Sequence, residues 1–335
     1  MTAHRIGVIG CGAIAEAFHI PALIRDQDVR GRLVLVDSNI DRARSLAATF
    51  GVSDVAEDYR QVLDGLDGAV VTVPHRLHFP IAVDCVRAGA HVLVEKPLCG
   101  TVEEAQLLIH TADDAGVSVS VNNMRRLFPS NQLVKALIDR GEIGAIREVD
   151  AEEGEPFEWP AASGAYFGAA AQGRGIVLDR GAHVLDLVCW LLDGEPTLVE
   201  CLDDARGGTE AVAHLEFTHG RVRGRVTLSW LTKLRNTLRV TGERGTLEVG
   251  IYDWDSVWLE KDGRRRTLRA PTHGLKVDQL PNKVIASFLL AVGGQRPAVS
   301  GAAVLPSLGM IQAYYATRSS FPMPWYDTFD RIAHV

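Results

Sequence analysis

The chain has 335 residues, 47% hydrophobic and 23% charged, an ordinary balance for a globular protein with room for two domains. A formal net charge of −7 without any basic run argues against nucleic acid as a partner, and no apolar run approaches a membrane span. Cys11, Cys85, Cys99, Cys189 and Cys201 are scattered, with neither a disulfide framework nor zinc-type spacing, so free thiols and no metal are expected.

Arg5–Ile9 is a short apolar run, followed by Gly10-Cys11-Gly12-Ala13-Ile14-Ala15 and a helical pattern to Arg25. In such a strand, turn and helix the first glycine allows the tight bend and the second lets backbone approach a pyrophosphate. The small Ala15 lets the helix pack closely. The helix N-terminus adds N–H groups and the positive end of its dipole, so Gly10, Gly12, Ala13 and Ile14 are candidate cofactor contacts. Arg32–Val36 then ends in Asp37, roughly 20 residues past the turn, where a carboxylate accepts from ribose hydroxyls and repels a 2′-phosphate. Asp37, with Ser38 beside it, favours NAD, and NADP comes second. A ligand-free glycine turn is the bland alternative, and it leaves the acidic strand end unexplained.

Apolar runs alternate with helical patterns as far as Asn122. Strands are predicted at Arg5–Ile9, Arg32–Val36, Gly68–Val73, His91–Glu95 and Ser118–Asn122, with helices near Ala13–Arg25, Ile40–Phe50, His78–Ala88 and Val102–Ala115. This is a doubly wound parallel sheet, a Rossmann domain over residues 1–123. Val73-Pro74 and Glu95-Lys96-Pro97 leave strands at the carboxyl edge, where ligands bind in such folds, and Lys96 can reach nicotinamide and substrate there. Taken alone, an exposed strand-end lysine is the stronger reading.

A helix from Pro129 through Asp139 leads to a strand over Ile146–Glu153. The segment from Glu152 to Arg174, overlapping the strand end, is otherwise irregular and holds Glu152, Glu153, Glu155, Phe157, Glu158, Trp159, Tyr166 and Phe167. Aromatic faces stack on pyranose or cyclitol C–H faces, and carboxylates accept from hydroxyls or pair with ammonium groups. A neutral or amino-bearing polyol therefore fits better than a sugar acid, with Trp159 and Tyr166 as candidate contacts. In GIVLDRGAHVLDLVCWLL, offsets of four and seven put Asp179, His183 and Asp186 on one face of an otherwise apolar helix. That stripe either lines a substrate cavity or is a satisfied core histidine with an aspartate partner; the residues alone weigh both equally. Period-two segments near Thr197–Asp203, Thr209–Phe217, Arg221–Trp230, Asn236–Thr241 and Gly245–Val249 predict a mainly antiparallel open sheet carrying the stripe helix. Helices near Asn282–Val292 and Val304–Arg318 complete an α+β domain over 124–335, and the terminal helix can pack back on the first domain.

The glycine turn, the block AVVTVPHRLHFPIAVDCVRAGAHVLVEKPL, the segment MRRLFPSNQLVKALIDRGEIGAI, the stripe helix and AAVLPSLGMIQAYYATRSS together resemble the Gfo/Idh/MocA oxidoreductases. The resemblance covers nearly the whole chain. It implies an NAD(P)-dependent enzyme acting on a secondary hydroxyl or ketone of a sugar, amino sugar or cyclitol. Lys96 falls in the family's Glu-Lys-Pro motif, and Asp179 and His183 on its second-domain motif. Neutral His183 suits a base for the carbinol proton, Lys96 an oxyanion stabiliser, and Asp179 a group that binds a neighbouring hydroxyl or orients either. Asp186 is expected to bond His183 from behind or to cap structure, and Glu95 to pair structurally or to bind ribose or nicotinamide. The resemblance also places His78 beside the cofactor; His75 and Arg76 read as solvated loop residues, and one of Arg125 and Arg126 contacts substrate or cofactor, with surface pairing the equal alternative. Leu127-Phe128-Pro129 departs from the aromatic-Asp-Pro of inositol dehydrogenase-like members, which weakens transfer of inositol specificity. Relatives that retain NAD for transient oxidation make a lyase, glycosidase or epimerase the alternative activity, and a non-catalytic cofactor sensor a third. A cytoplasmic homodimer or homotetramer, joined through the open sheet face, is the expected state.

Overall fold

Continuous Val/Ile/Leu runs suit strands covered on both faces, as a parallel sheet between helices requires. The computed structural model describes residues 4–158, 174–206, 208–274, 276 and 279–323. In it β1 (Ile6–Ile9), β2 (Leu33–Val36), β3 (Asp54–Ala56), β4 (Gly68–Val71), β5 (His91–Val94) and β6 (Val119–Val121) form one sheet in the order β3-β2-β1-β4-β5-β6. All its pairings are parallel. The strand order reverses between β1 and β4, which opens a crevice at their carboxyl ends. The edge strand β3 was not anticipated: it has three residues, of which only Ala56 is buried.

Helices α1 (Ile20–Leu23), α2 (Gln27–Arg30), α3 (Ile40–Phe50), α4 (His78–Arg87) and α5 (Val102–Ala115) flank this sheet. The Asn39 side chain accepts from Arg42 N to start α3, and Thr101 accepts from Glu104 N to start α5. The predicted first helix is continuous from Ala13 but contains one π turn, Ala15–His19.

The second half builds a nine-stranded sheet from β7 (Ile146–Gly154), β8 (Thr197–Asp203), β9 (Val212–His219), β10 (Val222–Ser229), β11 (Thr237–Gly242), β12 (Thr246–Gly250), β13 (Ser256–Lys261), β14 (Arg264–Arg269) and β15 (Ser319–Ser320). The order is β14-β13-β12-β11-β7-β10-β9-β8-β15, antiparallel except at β7–β10 and β8–β15. In β10, Val222, Gly224, Val226 and Leu228 are buried while Arg223 and Arg225 face outward, as the alternation predicts.

Helices α6 (Pro129–Asp139), α7 (Ala182–Leu192) and α9 (Leu305–Thr317) pack on one face, where Val134, Leu185, Val188 and Ile311 meet Val149, Leu215, Phe217 and Val226. Helix α8 (Leu280–Val292) returns to the first sheet and sets Ile285 and Phe288 among Ile6, Val8 and Leu93. Among the described residues no helix is long and apolar enough to cross a membrane.

Candidate active site

The turn after β1 is shaped by two glycines with different duties. Gly10 has φ +100, and a Cβ there would lie 2.7 Å from the Thr72 carbonyl oxygen. A Cβ on Gly12 would meet nothing within 4 Å, so the space above that backbone is open, as a pyrophosphate requires. At the end of β2, Asp37 Oδ2 accepts from Cys11 N at 2.7 Å and Oδ1 from Asn39 N at 2.8 Å, tying the turn to the strand. Each oxygen keeps a lone pair for a ribose hydroxyl. Arg42 stands at the same edge, donating from Nε to Cys11 O (2.9 Å) and from Nη2 to Glu16 Oε2 (2.5 Å). Ala13 and Ile14 open the helix, Ser38 is exposed beyond Asp37, and Val73 and Pro74 follow β4 at the same edge. This set of donors, acceptors and open backbone fits a dinucleotide. Burial, then the Asp37 charge, pushes the Cys11 thiol up to about 12, so it fills space and is no nucleophile.

Two expected cofactor contacts take other roles. His78 is buried, with Nδ1 2.8 Å from Pro97 O and Nε2 2.9 Å from Val73 O, so it staples the loops after β4 and β5 and has no ring nitrogen left for a cofactor. Glu95 takes the structural alternative: Oε1 accepts from His19 Nε2 and Asn122 Nδ2, both at 2.6 Å, and Oε2 from Lys96 N at 3.3 Å. Burial alone would raise its carboxyl, but the His19 hydrogen bond and charge outweigh it and hold the group down at about 2. Sequence reasoning missed His19; a histidine inside the glycine-turn helix, between Phe18 and Ile20, was the available signal. His75, expected in solvent, is half-buried, and burial followed by the charges of His78 and Lys96 pushes it down to about 3.

The predicted catalytic residues of the two halves come together through one contact. Lys96 Nζ donates to Asp179 Oδ1 and to Asp179 O, each at 2.8 Å, across 83 residues of sequence. Asp179 lies in a π turn, Val177–Gly181, where the helical ladder is locally rewritten. Burial works against its charge, but Lys96 keeps the carboxyl below the usual range. His183, on the next turn, has Nδ1 buried without a hydrogen-bond partner. Burial, then Lys96 and Arg125, holds its pKa well below the ordinary imidazole value, so it is neutral at pH 7.

Asp186 does not back His183. Both lie in the regular helix after the π turn, three residues apart, yet Asp186 is drawn to a different partner. Its oxygens accept Arg126 Nε at 2.8 Å and Nη2 at 2.6 Å, with Ser307 Oγ at 3.4 Å. Arg125 likewise is already engaged: Nη1 and Nη2 donate to Glu153 at 2.6 and 2.7 Å, and Tyr252 Oη donates to the same carboxylate at 2.8 Å. Two more of the acids on which the amino-polyol expectation stands are paired, Glu152 with Arg235 and Glu155 with Asn236 and Lys233, while Glu158 is exposed. Trp159 and Tyr166, with Phe167, lie outside the described residues.

Comparison with known proteins follows the same division of the chain. A family described as "Oxidoreductase family, NAD-binding Rossmann fold" matches residues 4–123, and the GFO/IDH/MocA C-terminal domain matches residues 131–248. An oxidoreductase of Rhizobium meliloti, ORF334, is 27% identical over 73% of this chain and 74% of its own length. The scyllo-inositol 2-dehydrogenase (NADP(+)) IolW of Bacillus subtilis is 25% identical over 65% of this chain and 61% of its own. The fold is that of KijD10, a 3-ketoreductase from Actinomadura kijaniata solved with NADP and TDP-benzene, at a TM-score of 0.80, 22% identity and coverage of 95% and 99% of the two chains. With both halves matched and Lys96 bonded to Asp179 one turn before His183, the chain belongs to the GFO/IDH/MocA family of NAD(P)-dependent oxidoreductases.

Proposed function

We propose that the chain transfers hydride between NAD and a secondary hydroxyl or ketone carbon of a sugar, amino sugar or cyclitol. The observation that carries this reading is Lys96 locked by Asp179 next to a neutral, half-buried His183. Its support is the activity named for the inositol dehydrogenase relative. Bound nicotinamide supplies the hydride acceptor or donor. In the oxidising direction His183 takes the hydroxyl proton as the carbinol C–H bond breaks, and in the reducing direction it returns one. Lys96 stabilises the charge that develops on the same oxygen, and Asp179 fixes where that ammonium points. Asp37 disfavours a 2′-phosphate, and Arg42, the cation at that edge, is committed to Glu16. We place contact between identical subunits on the open sheet face, where Arg225 pairs with Asp150 and Arg235 with Glu152.

The test is absorbance in the NADH band with purified protein, NAD or NADP, and a panel of neutral sugars, amino sugars, sugar acids and inositols. The reading expects turnover of at least one class, with NAD preferred at least about tenfold, the effect of one like-charge contact. Product formed with NAD retained and no net absorbance change would replace it with a transient-oxidation lyase or epimerase.

A further inference from the structure

Beyond the reacting groups, one charged side chain in the cleft has no counterpart. Arg180, in the π turn between Asp179 and Gly181, has Nη1 buried and without a hydrogen-bond partner. Among the described residues none makes a hydrogen bond or ion pair with it. Its charge acts on Asp179 and on Tyr252, so it lies near both. The carboxylates nearby are taken: Asp179 by Lys96, and Glu153 by Arg125 and Tyr252. Residues 159–173, which lead back to this helix, contain no charged side chain. With His183 neutral, the cleft holds two matched ion pairs and one surplus guanidinium.

We infer that Arg180 is an anion subsite for the substrate, which carries a carboxylate or phosphate group on the sugar or cyclitol. A buried guanidinium N–H without an acceptor is costly, and a neutral hydroxyl would satisfy the donor while leaving the charge uncompensated. A planar anion answers both needs, since the guanidinium fork matches carboxylate and phosphate geometry. The inference rests on the proposed oxidoreductase function and narrows its substrate class. It also reverses the expectation of a neutral or amino-bearing polyol, because Glu152, Glu153 and Glu155 are paired within the protein and Glu158 is exposed.

The experiment is calorimetric titration of the protein with NAD bound, using glucose, glucuronate and glucose 6-phosphate as probes, on the wild type, Arg180→Gln and Arg180→Lys. At least one anionic probe should bind about 10- to 100-fold more tightly than glucose, the margin of a charge-assisted hydrogen bond. Arg180→Gln should erase that margin and Arg180→Lys should keep part of it. Preference for glucuronate identifies the carboxylate, and preference for glucose 6-phosphate the phosphate. Equal or undetectable binding of all three probes to the wild type overturns the inference, as does a margin that survives Arg180→Gln. Heat is read without turnover, so a margin with no redox activity would sink the oxidoreductase reading alone, and turnover of neutral sugars without a margin would sink the subsite alone.

Discussion

Replacing Asp186 with Asn removes the charge from a carboxylate only 1% exposed that takes both Arg126 Nε and Nη2. The guanidinium stays behind, bonded to Ala303 O at 2.9 Å and stacked 5.9 Å from the Trp190 ring centroid, and arginine cannot shed its proton. Breaking a buried pair in this way costs about 3–5 kcal/mol, most of it from the stranded charge. The lower end applies here, since an amide oxygen still accepts one bond. The double variant Arg126→Met, Asp186→Leu removes both charges and should recover most of the loss, because apolar replacements of buried pairs are near neutral. Urea unfolding followed by tryptophan fluorescence reads both, with Trp190 beside the pair as reporter. The pair joins the turn after β6 to α7 and to the start of α9, so the destabilisation should appear where the two sheets' helices meet. Turnover per folded molecule should persist in Asp186→Asn. A variant as stable as wild type that loses 100-fold in rate would instead make Asp186 part of the chemistry.

Acid sensitivity should begin near pH 6.5. His75, at about 3, and His183 have folded pKa values below that of a free imidazole, so the unfolded chain binds protons that the folded one refuses. Their stabilising effect is complete above pH 6.5 and is lost as pH falls toward 3; Glu95, at about 2, adds a loss below 4.5. Urea midpoints at pH 7.5, 5.5 and 4.5 should decline in that order, and a maximum below 5.5 would contradict the assignments. The acid limb of kcat/KM should likewise lie well below pH 6.5, and a limb at 6.5 would mean that His183 is not the group observed. Gly12→Ala should leave the fold intact and weaken NAD binding by about tenfold or more, since a methyl enters the open gap above the turn. Gly10→Ala should instead destabilise by about 1–3 kcal/mol through its φ of +100 and the Thr72 contact. Equal effects of the two on NAD affinity at unchanged stability would deny the separate roles.

The parallel sheet was legible because each strand is a compact apolar run followed by a turn and a helix, and its bounds fall within a residue or two of those expected. Strand β3 escaped because a three-residue edge strand with one buried side chain carries no period. Hairpin β13–β14 escaped because β14 is nearly all arginine, threonine and exposed. Asp262-Gly263, with φ of 53 and 68, is the type I′ turn that could have revealed it. In the site, residue types were readable and partners were not. Lys96 and Asp179 are recognisable in sequence, but their contact depends on how β5 meets the helix across the cleft. A helical wheel shows which residues share a face but not which neighbour claims them, so the Arg126 guanidinium that takes Asp186 was invisible to it. Arg125 and Glu153 each looked available for substrate; only packing shows that they satisfy each other.

The central claim is that Lys96 and His183 act on the same substrate oxygen as hydride moves. A stopped-flow single turnover, mixing NAD-loaded protein with the best substrate from the panel, measures that step without product release. The account predicts that Lys96→Met and His183→Gln each slow the appearance of NADH by roughly 100- to 1000-fold, with NAD affinity in His183→Gln within a few-fold of wild type. Wild-type rates in both variants would contradict it and move the chemistry to another part of the cleft.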